Sequence, residues 1–162
     1  MFLLDANAFM EANRLYYGFA IAPGFWTWLG DERLTGRIGS IDAVKDEITA
    51  GSGDLVTWAN TLPHTFWASD TDDVVATMAE LAGWANDPAR QFKQEAITEF
   101  MASADLKLIA HAKASDATVA TRERPAPDSK KKIKIPDVCG AFDVAWIDPF
   151  SAYGSLGLKL VV

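Results

Sequence analysis

Four acids have local contexts that could gather them into one place. Asp5 directly follows the apolar run Phe2-Leu3-Leu4, and Glu47 lies in a helical stretch beside Val44 and Ile48. Asp105 comes two residues after Ser103 at the start of another helical stretch, and Glu123 comes two residues after the β-branched run Ala117–Thr121. Asp is a poor strand residue, and a buried carboxylate is costly unless it is paired or bound to a cation. Carboxylates held within a few ångströms of one another repel and take up protons unless cations neutralise them. The cation that suits such a set is Mg2+ or Mn2+, hard ions that favour oxygen ligands and retained water. Taken singly, each acid also has a structural role open to it. Asp5 can cap the following helix, Glu47 can be solvated, Asp105 can serve the dipole of its own helix, and Glu123 can pair with Arg122 or Arg124. The joint pattern is what points to chemistry.

The elements that must carry these residues follow from the periodicity. Phe2–Leu4 reads as a short buried strand and Asn7–Tyr16 as a helix. Pro23 opens a helix holding Phe25, Trp26, Trp28 and Leu29, which ends near Gly30. Gly36–Gly39 reads as a turn, after which Ser40 caps a helix through Ile41, Val44 and Ile48 that stops at Gly51-Ser52-Gly53. Asp54 starts a helix that Pro63 closes, and Phe66-Trp67 is extended or irregular. The run Thr71–Trp84 is helical with a stripe of Val74, Val75, Met78, Leu81 and Ala82, and Arg90–Phe100 forms a further helix. Ser103 caps the helix that carries Asp105, with Leu106, Ile109 and Ala110 on its buried face. Ala117–Thr121 is a strand and Arg124–Ser129 a loop. Lys130–Ile135 reads as a basic edge strand, Pro136 begins a helix with Val138, Cys139 and Phe142, and Asp148-Pro149 starts the last helix before an apolar tail, Leu158–Val162. This order predicts an α/β fold with a small, mostly parallel sheet of three to five strands, dominated by helices. In such a sheet ligands gather at the carboxyl ends of strands. If the first strand and Ala117–Thr121 are adjacent and parallel, Asp5 and Glu123 leave the sheet on the same edge.

Composition narrows the classes. With 162 residues, 49% of them hydrophobic and 23% charged, the chain suffices for one folded domain spanning 1–162. Twenty-two acids against 15 bases give a net charge of −7, which argues against a general nucleic-acid coat. It leaves room for a nuclease whose acids are neutralised by metal. A single cysteine, Cys139, rules out an internal disulfide and fits a reducing cytoplasm. No signal peptide is expected and no stretch approaches membrane-spanning length, so the expected location is cytoplasmic, with no membrane partner.

Other motifs carry less. Gly51-Ser52-Gly53 lacks the lysine of a phosphate-binding loop and reads as a helix stop. Cys139 lies on an apolar helix, so a core thiol is expected rather than a nucleophile. His64 and His111 have no cysteine partners in zinc-type spacing and read as surface or packing residues. The aromatic concentration Phe25, Trp26, Trp28, Trp58, Phe66 and Trp67 exceeds what a small core needs, which suggests that part of it faces a partner.

Motif order brings a family into view. FLLDANAFM resembles the opening of PIN-domain nucleases, the fold of VapC-type toxins, where a strand delivers an Asp and a small polar residue, here Asn7, follows two positions later. AVKDEITAG looks like the family's second motif with Glu47 as its acid, SADLKLIAHA like the third with Asp105, and VATRERP like the fourth, with Glu123 in place of an Asp. TRERP followed by KIKIPDVC is similar to a PIN-like branch known only as a domain of unknown function. The resemblance implies a three-layer α/β/α PIN-like domain and Mg2+- or Mn2+-dependent cleavage of RNA by a toxin with a cognate antitoxin. A homodimer is compatible with it. It implies one or two metals held by Asp5, Asp105 and Glu123, with Glu47 holding a water of the metal or acting as base. Asn7, Lys130, Lys131 and Lys132 would meet the RNA, although lysines on an edge strand also guard against aggregation. Asp137 could add an acid, but its place after Pro136 suits a helix first turn better. Two other readings are carried. A catalytically weak PIN-like module that binds RNA or protein is favoured by Glu at 123, and a haloacid dehalogenase-type phosphohydrolase is suggested by Asp5-Ala6-Asn7, where Asn7 replaces the second Asp.

Overall fold

The central strand of the sheet is the first apolar run of the chain, because Phe2-Leu3-Leu4 is apolar on both faces and can be covered on both sides. The computed structural model describes residues 1–161. In it β1 (Phe2–Leu4) is flanked by β2 (Ile38–Ile41) and β4 (Thr118–Ala120), with β3 (Trp67–Ala68) and β5 (Trp146–Ile147) outermost. The order is β3-β2-β1-β4-β5, and every pairing is parallel. Helices make up 56% of the chain, and the architecture is a three-layer α/β/α fold. Strands β2 and β3 step outward on one side of β1, and the chain then returns to place β4 and β5 on the other. The order therefore reverses between β1 and β4, and a crevice opens outside their carboxyl ends.

Helices α1 (Ala6–Glu11), α2 (Pro23–Leu29), α3 (Asp42–Thr49) and α4 (Asp54–Thr61) fill the first half. A π-helical turn, Ala12–Tyr16, extends α1. Then come α5 (Asp72–Asn86), α6 (Gln94–Ala102), α7 (Ala104–Ser115), α8 (Ile135–Ala141) and α9 (Pro149–Ser155). Helix α5 packs along α7, whose Leu108, Ile109 and Ala110 are fully buried between that helix and the sheet.

Several expectations need correction. Gly36–Gly39 is not wholly a turn, because Ile38–Ile41 is a strand with all four residues buried. Its period is hidden by Gly39, and the packing says why glycine stands there: a Cβ would lie 2.9 Å from the carbonyl oxygen of Phe66, the residue before β3. Ser40 is in that strand and caps no helix; its Oγ donates to the Leu4 carbonyl at 2.6 Å. Ser103 precedes α7 as expected, but its hydroxyl turns back to the Phe100 carbonyl and caps nothing. The α5 stripe runs through Val74, Thr77, Leu81 and Ala85, leaving Val75 exposed. Lys130–Lys134 forms no strand; the edge is taken by Trp146-Ile147, and the lysines lie in irregular chain leading into α8. Val162, the end of the apolar tail, lies outside the described residues.

The aromatic excess is core rather than surface. Phe9 packs against Trp58, Phe66 and Trp67 with ring centroids 6.0, 6.3 and 5.7 Å away. Trp26 stacks on Phe19 at 4.2 Å and meets Trp58 edge-on at 4.8 Å. Phe25, Trp26 and Trp67 are each exposed by 2% or less, while Trp28 and Trp58 are half-buried. Buried indoles need acceptors, and Trp26, Trp58 and Trp67 donate to the carbonyls of Tyr17, Trp26 and Ala59.

Candidate active site

Asp5 stands where the sheet order reverses. The register sets Leu4 opposite Ala120, so Asp5 and Thr121 emerge side by side, and the Asp5 N–H donates to the Ala120 carbonyl. Asp5 caps α1 by accepting from the Ala8 N–H at 2.6 Å through Oδ1, while Oδ2 accepts from Thr121 Oγ1 at 2.6 Å. The carboxylate is only 2% exposed and Thr121 is fully buried. Burial pushes the Asp5 carboxyl up to about 6, with the charges of Glu123 and Glu11 adding to the rise and the Thr121 and Ala8 hydrogen bonds holding it down. Both readings of Asp5, cap and functional acid, describe one side chain.

Asp105 lies in the first turn of α7. Loss of solvent pushes its carboxyl up to about 7, helped by the negative charges of Glu123, Asp5 and Glu47 in that order, and Lys134 opposes them. Thr121 links Asp5 to Glu123, Glu123 shares a pocket with Asp105, and Glu47 accepts from the residue before Asp105, so the four predicted acids border one crevice. Asp105 and Glu123 line a pocket of about 60 Å³ together with Ser103, Lys132 and Lys134.

Glu47 and Glu123 are held by backbone donors. Glu47 Oε1 accepts from the Ala104 N–H at 3.0 Å, so a side chain of α3 supplies the cap that Ser103 does not give α7. Glu123 Oε2 accepts from the Ile135 N–H at 2.8 Å, at the first residue of α8, and Oε1 lies 3.7 Å from Lys134 Nζ. The Glu123 N–H in turn donates to Thr121 Oγ1 at 3.1 Å. The amino ends of α1, α7 and α8 therefore converge on these acids. Unpaired N–H groups at helix starts partly offset the repulsion among the carboxylates.

Two residues at the site escape sequence reasoning. Thr121 bridges Asp5 and Glu123, and Ser40 ties β2 to β1 at the residue before Asp5. A hydroxyl at the end of an apolar strand is the one signal that could have marked each. Among the other candidates, Asn7 is exposed on α1. Lys130 Nζ donates to the Arg90 carbonyl at 2.9 Å, Lys132 lies 3.6 Å from Glu99, and Lys131 is exposed. Asp137 does not join the acids: both its oxygens accept from the Ala126 N–H, tying the preceding loop to α8. His111 is a packing residue, buried with Nε2 2.9 Å from Asp70, and His64 is exposed. Cys139 is fully buried and its thiol is pushed up to about 12 by burial, far from nucleophilic.

The donor set is all carboxylate, with no thiol or imidazole, which suits a hard cation. As the side chains are oriented, no group of three or more His, Cys, Asp or Glu among the described residues is close enough to hold a metal. A carboxylate has roughly four lone-pair positions, so acids that accept one or two hydrogen bonds retain capacity for a ligand. No curated protein and no solved structure matches the chain. A family model described as "Domain of unknown function (DUF4411)" matches residues 2–160, and the chain belongs to that family.

Proposed function

We propose that this protein is a metal-dependent ribonuclease of the PIN type that hydrolyses RNA phosphodiester bonds as the toxin of a toxin–antitoxin pair in the cytoplasm. The observation that carries the catalytic part is the pair Asp5 and Asp105. They are two carboxyls raised to about 6 and about 7 by burial, with the charge of Glu123 adding to the rise of each, at the crevice where the sheet order reverses. Groups that resist ionisation for this reason are the ones a divalent cation would discharge. Asp5, Asp105 and Glu123 would hold Mg2+ or Mn2+, which when bound supplies water acidification and charge neutralisation at the leaving oxygen. Thr121 holds Asp5 in one orientation through Oδ2. Glu47 sets the start of α7 and with it the height of Asp105 above the sheet. Lys134, 3.7 Å from Glu123 Oε1, would offer a cation to a phosphate oxygen. The antitoxin rests on the motif resemblance; the aromatic residues offered for its docking belong to the core. No helix among the described residues is long and apolar enough to cross a membrane.

The test is incubation of purified protein with structured RNA and Mn2+ beside Asp5→Asn and Asp105→Asn. Cleavage by the wild type alone supports the assignment, and equal cleavage by all three excludes this site. One observation favours the second reading, a catalytically weak binding module: Glu123 is already engaged by Ile135 N–H and Lys134. RNA binding without any cleavage in Mn2+ would select it. Turnover of an aryl phosphate, lost in Asp5→Asn, would instead select the haloacid dehalogenase-type reading.

A further inference from the structure

Helix α7 has little apolar preference for its own rotation. It packs against α3, α5, α6, α8, β2 and β4, and its buried Leu106, Leu108, Ile109, Ala110 and Ala112 lie on several sides of it. Burial is non-directional, so a helix covered on several sides can turn about its axis with little change in buried apolar area. Hydrogen bonds are directional and can set the angle at which Asp105 projects. Ser103 supplies none to α7, because its hydroxyl is turned back to Phe100. Two acids from the β2–β3 half of the molecule supply them instead. Glu47 accepts from the Ala104 N–H. Asp70, two residues beyond β3, divides its oxygens between two side chains of α7. Oδ2 accepts from Lys107 Nζ at 2.7 Å, and Oδ1 lies 2.9 Å from His111 Nε2. The Lys107 ammonium, with a smaller share from His111, holds the Asp70 carboxyl below the usual carboxylate range against the loss of solvent. An ionised Asp70 only accepts, so His111 Nε2 is the donor.

We infer that Asp70 is a positioning residue for the acid site: together with Glu47 it fixes the rotation of α7 and so the place of the Asp105 carboxylate. The consequence for chemistry rests on the metal-dependent reading of that site. Ala104, Lys107 and His111 are spaced i, i+3 and i+7, hence on one face of the helix. Asp105 lies between the two attachments, about 100° round the helix from Ala104. The attachments are also tied to each other. Ser69 Oγ donates to Asp42 Oδ2 at 2.6 Å, and Asp42 opens the helix that carries Glu47. A turn of α7 by about 20° would carry a carboxylate at a radius of about 5–6 Å through about 2 Å. Metal ligands must be placed to within about 0.2 Å. A small loss of angular control is therefore a large loss for a cation. The Asp70 and Lys107 side chains are 33% and 37% exposed, and an ion pair that open adds little to stability. Positioning can thus be measured apart from folding.

The test combines Mn2+ affinity by electron paramagnetic resonance, amide NMR spectra in EDTA and thermal melts. Asp70→Ala should weaken Mn2+ binding about tenfold or more, the loss expected when a residue orienting a metal ligand is removed. It should also move the amide signals of Ala104 and Asp105, with Tm falling by only a few degrees. Asp70→Asn removes the same charge but keeps an oxygen for His111 Nε2–H, so it should bind Mn2+ nearly as well as wild type. Lys107→Met deletes a positive charge, which by itself would strengthen binding of a cation; weaker binding there reports position rather than charge. Asp87→Ala removes an exposed cap on the Ala89 N–H in the turn Pro88–Arg90. It should leave both Mn2+ affinity and the Asp105 signal unchanged. If Asp70→Ala fails to fold by circular dichroism, Lys107→Met carries the test. Equal weakening by Asp70→Ala and Asp70→Asn, wild-type affinity in Asp70→Ala, or unmoved Ala104 and Asp105 signals would each overturn the inference. If the wild type binds no Mn2+, signals that move in Asp70→Ala and return in Asp70→Asn leave the positioning role standing and remove the metal reading.

Discussion

Asp105→Asn should make the metal-free protein more stable at pH 8, although it deletes a proposed catalytic group. The Asp105 carboxyl titrates near 3.8 when unperturbed and at about 7 in the fold, because desolvation and the charges of Glu123, Asp5 and Glu47 disfavour its anion. The folded protein therefore binds more protons than the unfolded chain between these values, and stability falls across that interval as pH rises. This contribution is fully present below about pH 4 and is lost as pH climbs through about 7. A shift of that size corresponds to about 4 kcal/mol at most, taking 1.36 kcal/mol per unit. Asn keeps the shape without the charge, so it should recover a large share of that amount at pH 8 and little at pH 4.5. For a chain of this size, that is of order 10 °C in Tm. The assay is urea unfolding followed by tryptophan fluorescence in EDTA at several pH values, with wild type and variant side by side. Added Mn2+ should then restore wild-type stability at pH 8 by about 2.7 kcal/mol at a hundredfold excess over its Kd, and should do much less for the variant. A variant less stable than wild type at pH 8, or a pH difference profile that is flat, would refute the buried-charge account.

Three further outcomes follow from the same geometry. Thr121→Val removes the hydroxyl donor to Asp5 Oδ2 and the acceptor for Glu123 N–H. It should cost about 2 kcal/mol in urea unfolding and move the Asp5 carboxyl further above 6, so that metal binding begins at higher pH; unchanged unfolding would show the bridge to be idle. Glu47→Gln keeps an oxygen for the Ala104 N–H, whereas Glu47→Ala loses the cap at a cost of about 1 kcal/mol. If both variants lose Mn2+-dependent cleavage while only Ala loses stability, Glu47 has two separate duties; equal cleavage by Gln and wild type would leave it a cap. Gly39→Ala places a methyl 2.9 Å from the Phe66 carbonyl and should cost about 1–3 kcal/mol in thermal melts; an unaltered Tm would mean that β3 is free to move aside.

The parts of the fold that could be read ahead of the structure share a physical property: their signal is local. The helix Thr71–Trp84 announces itself by period and cap, and α9 by Asp148-Pro149, whose carboxylate accepts from the Phe150 N–H. β1 and β4 are legible because short apolar runs between breakers have few other uses. β2 and β5 were hidden for opposite reasons. Gly39 removes the side chain that would have displayed alternation, and it does so for contact with Phe66, a residue far along the chain. Trp146-Ile147 is two residues long and carries no pattern. The lysine-rich stretch has strand-like alternation, yet its backbone turns to deliver Ile135 to Glu123 and Lys130 to Arg90, and tertiary contact overrides propensity there.

What the sequence determined by itself was the inventory and its order: acids after a first strand, inside one helix, at the start of another and after a later strand, in a chain rich enough in apolar residues to bury them. What only the tertiary structure decided was the environment of each acid. The parallel register of β1 and β4 puts Asp5 beside Thr121, and α3 reaches across to cap α7 with Glu47. The aromatic residues turned inward because the core of the first half is built from them. Charge and hydrophobicity are properties of a residue, but desolvation and mutual repulsion belong to a place, and a place exists only once the distant parts of the chain have met.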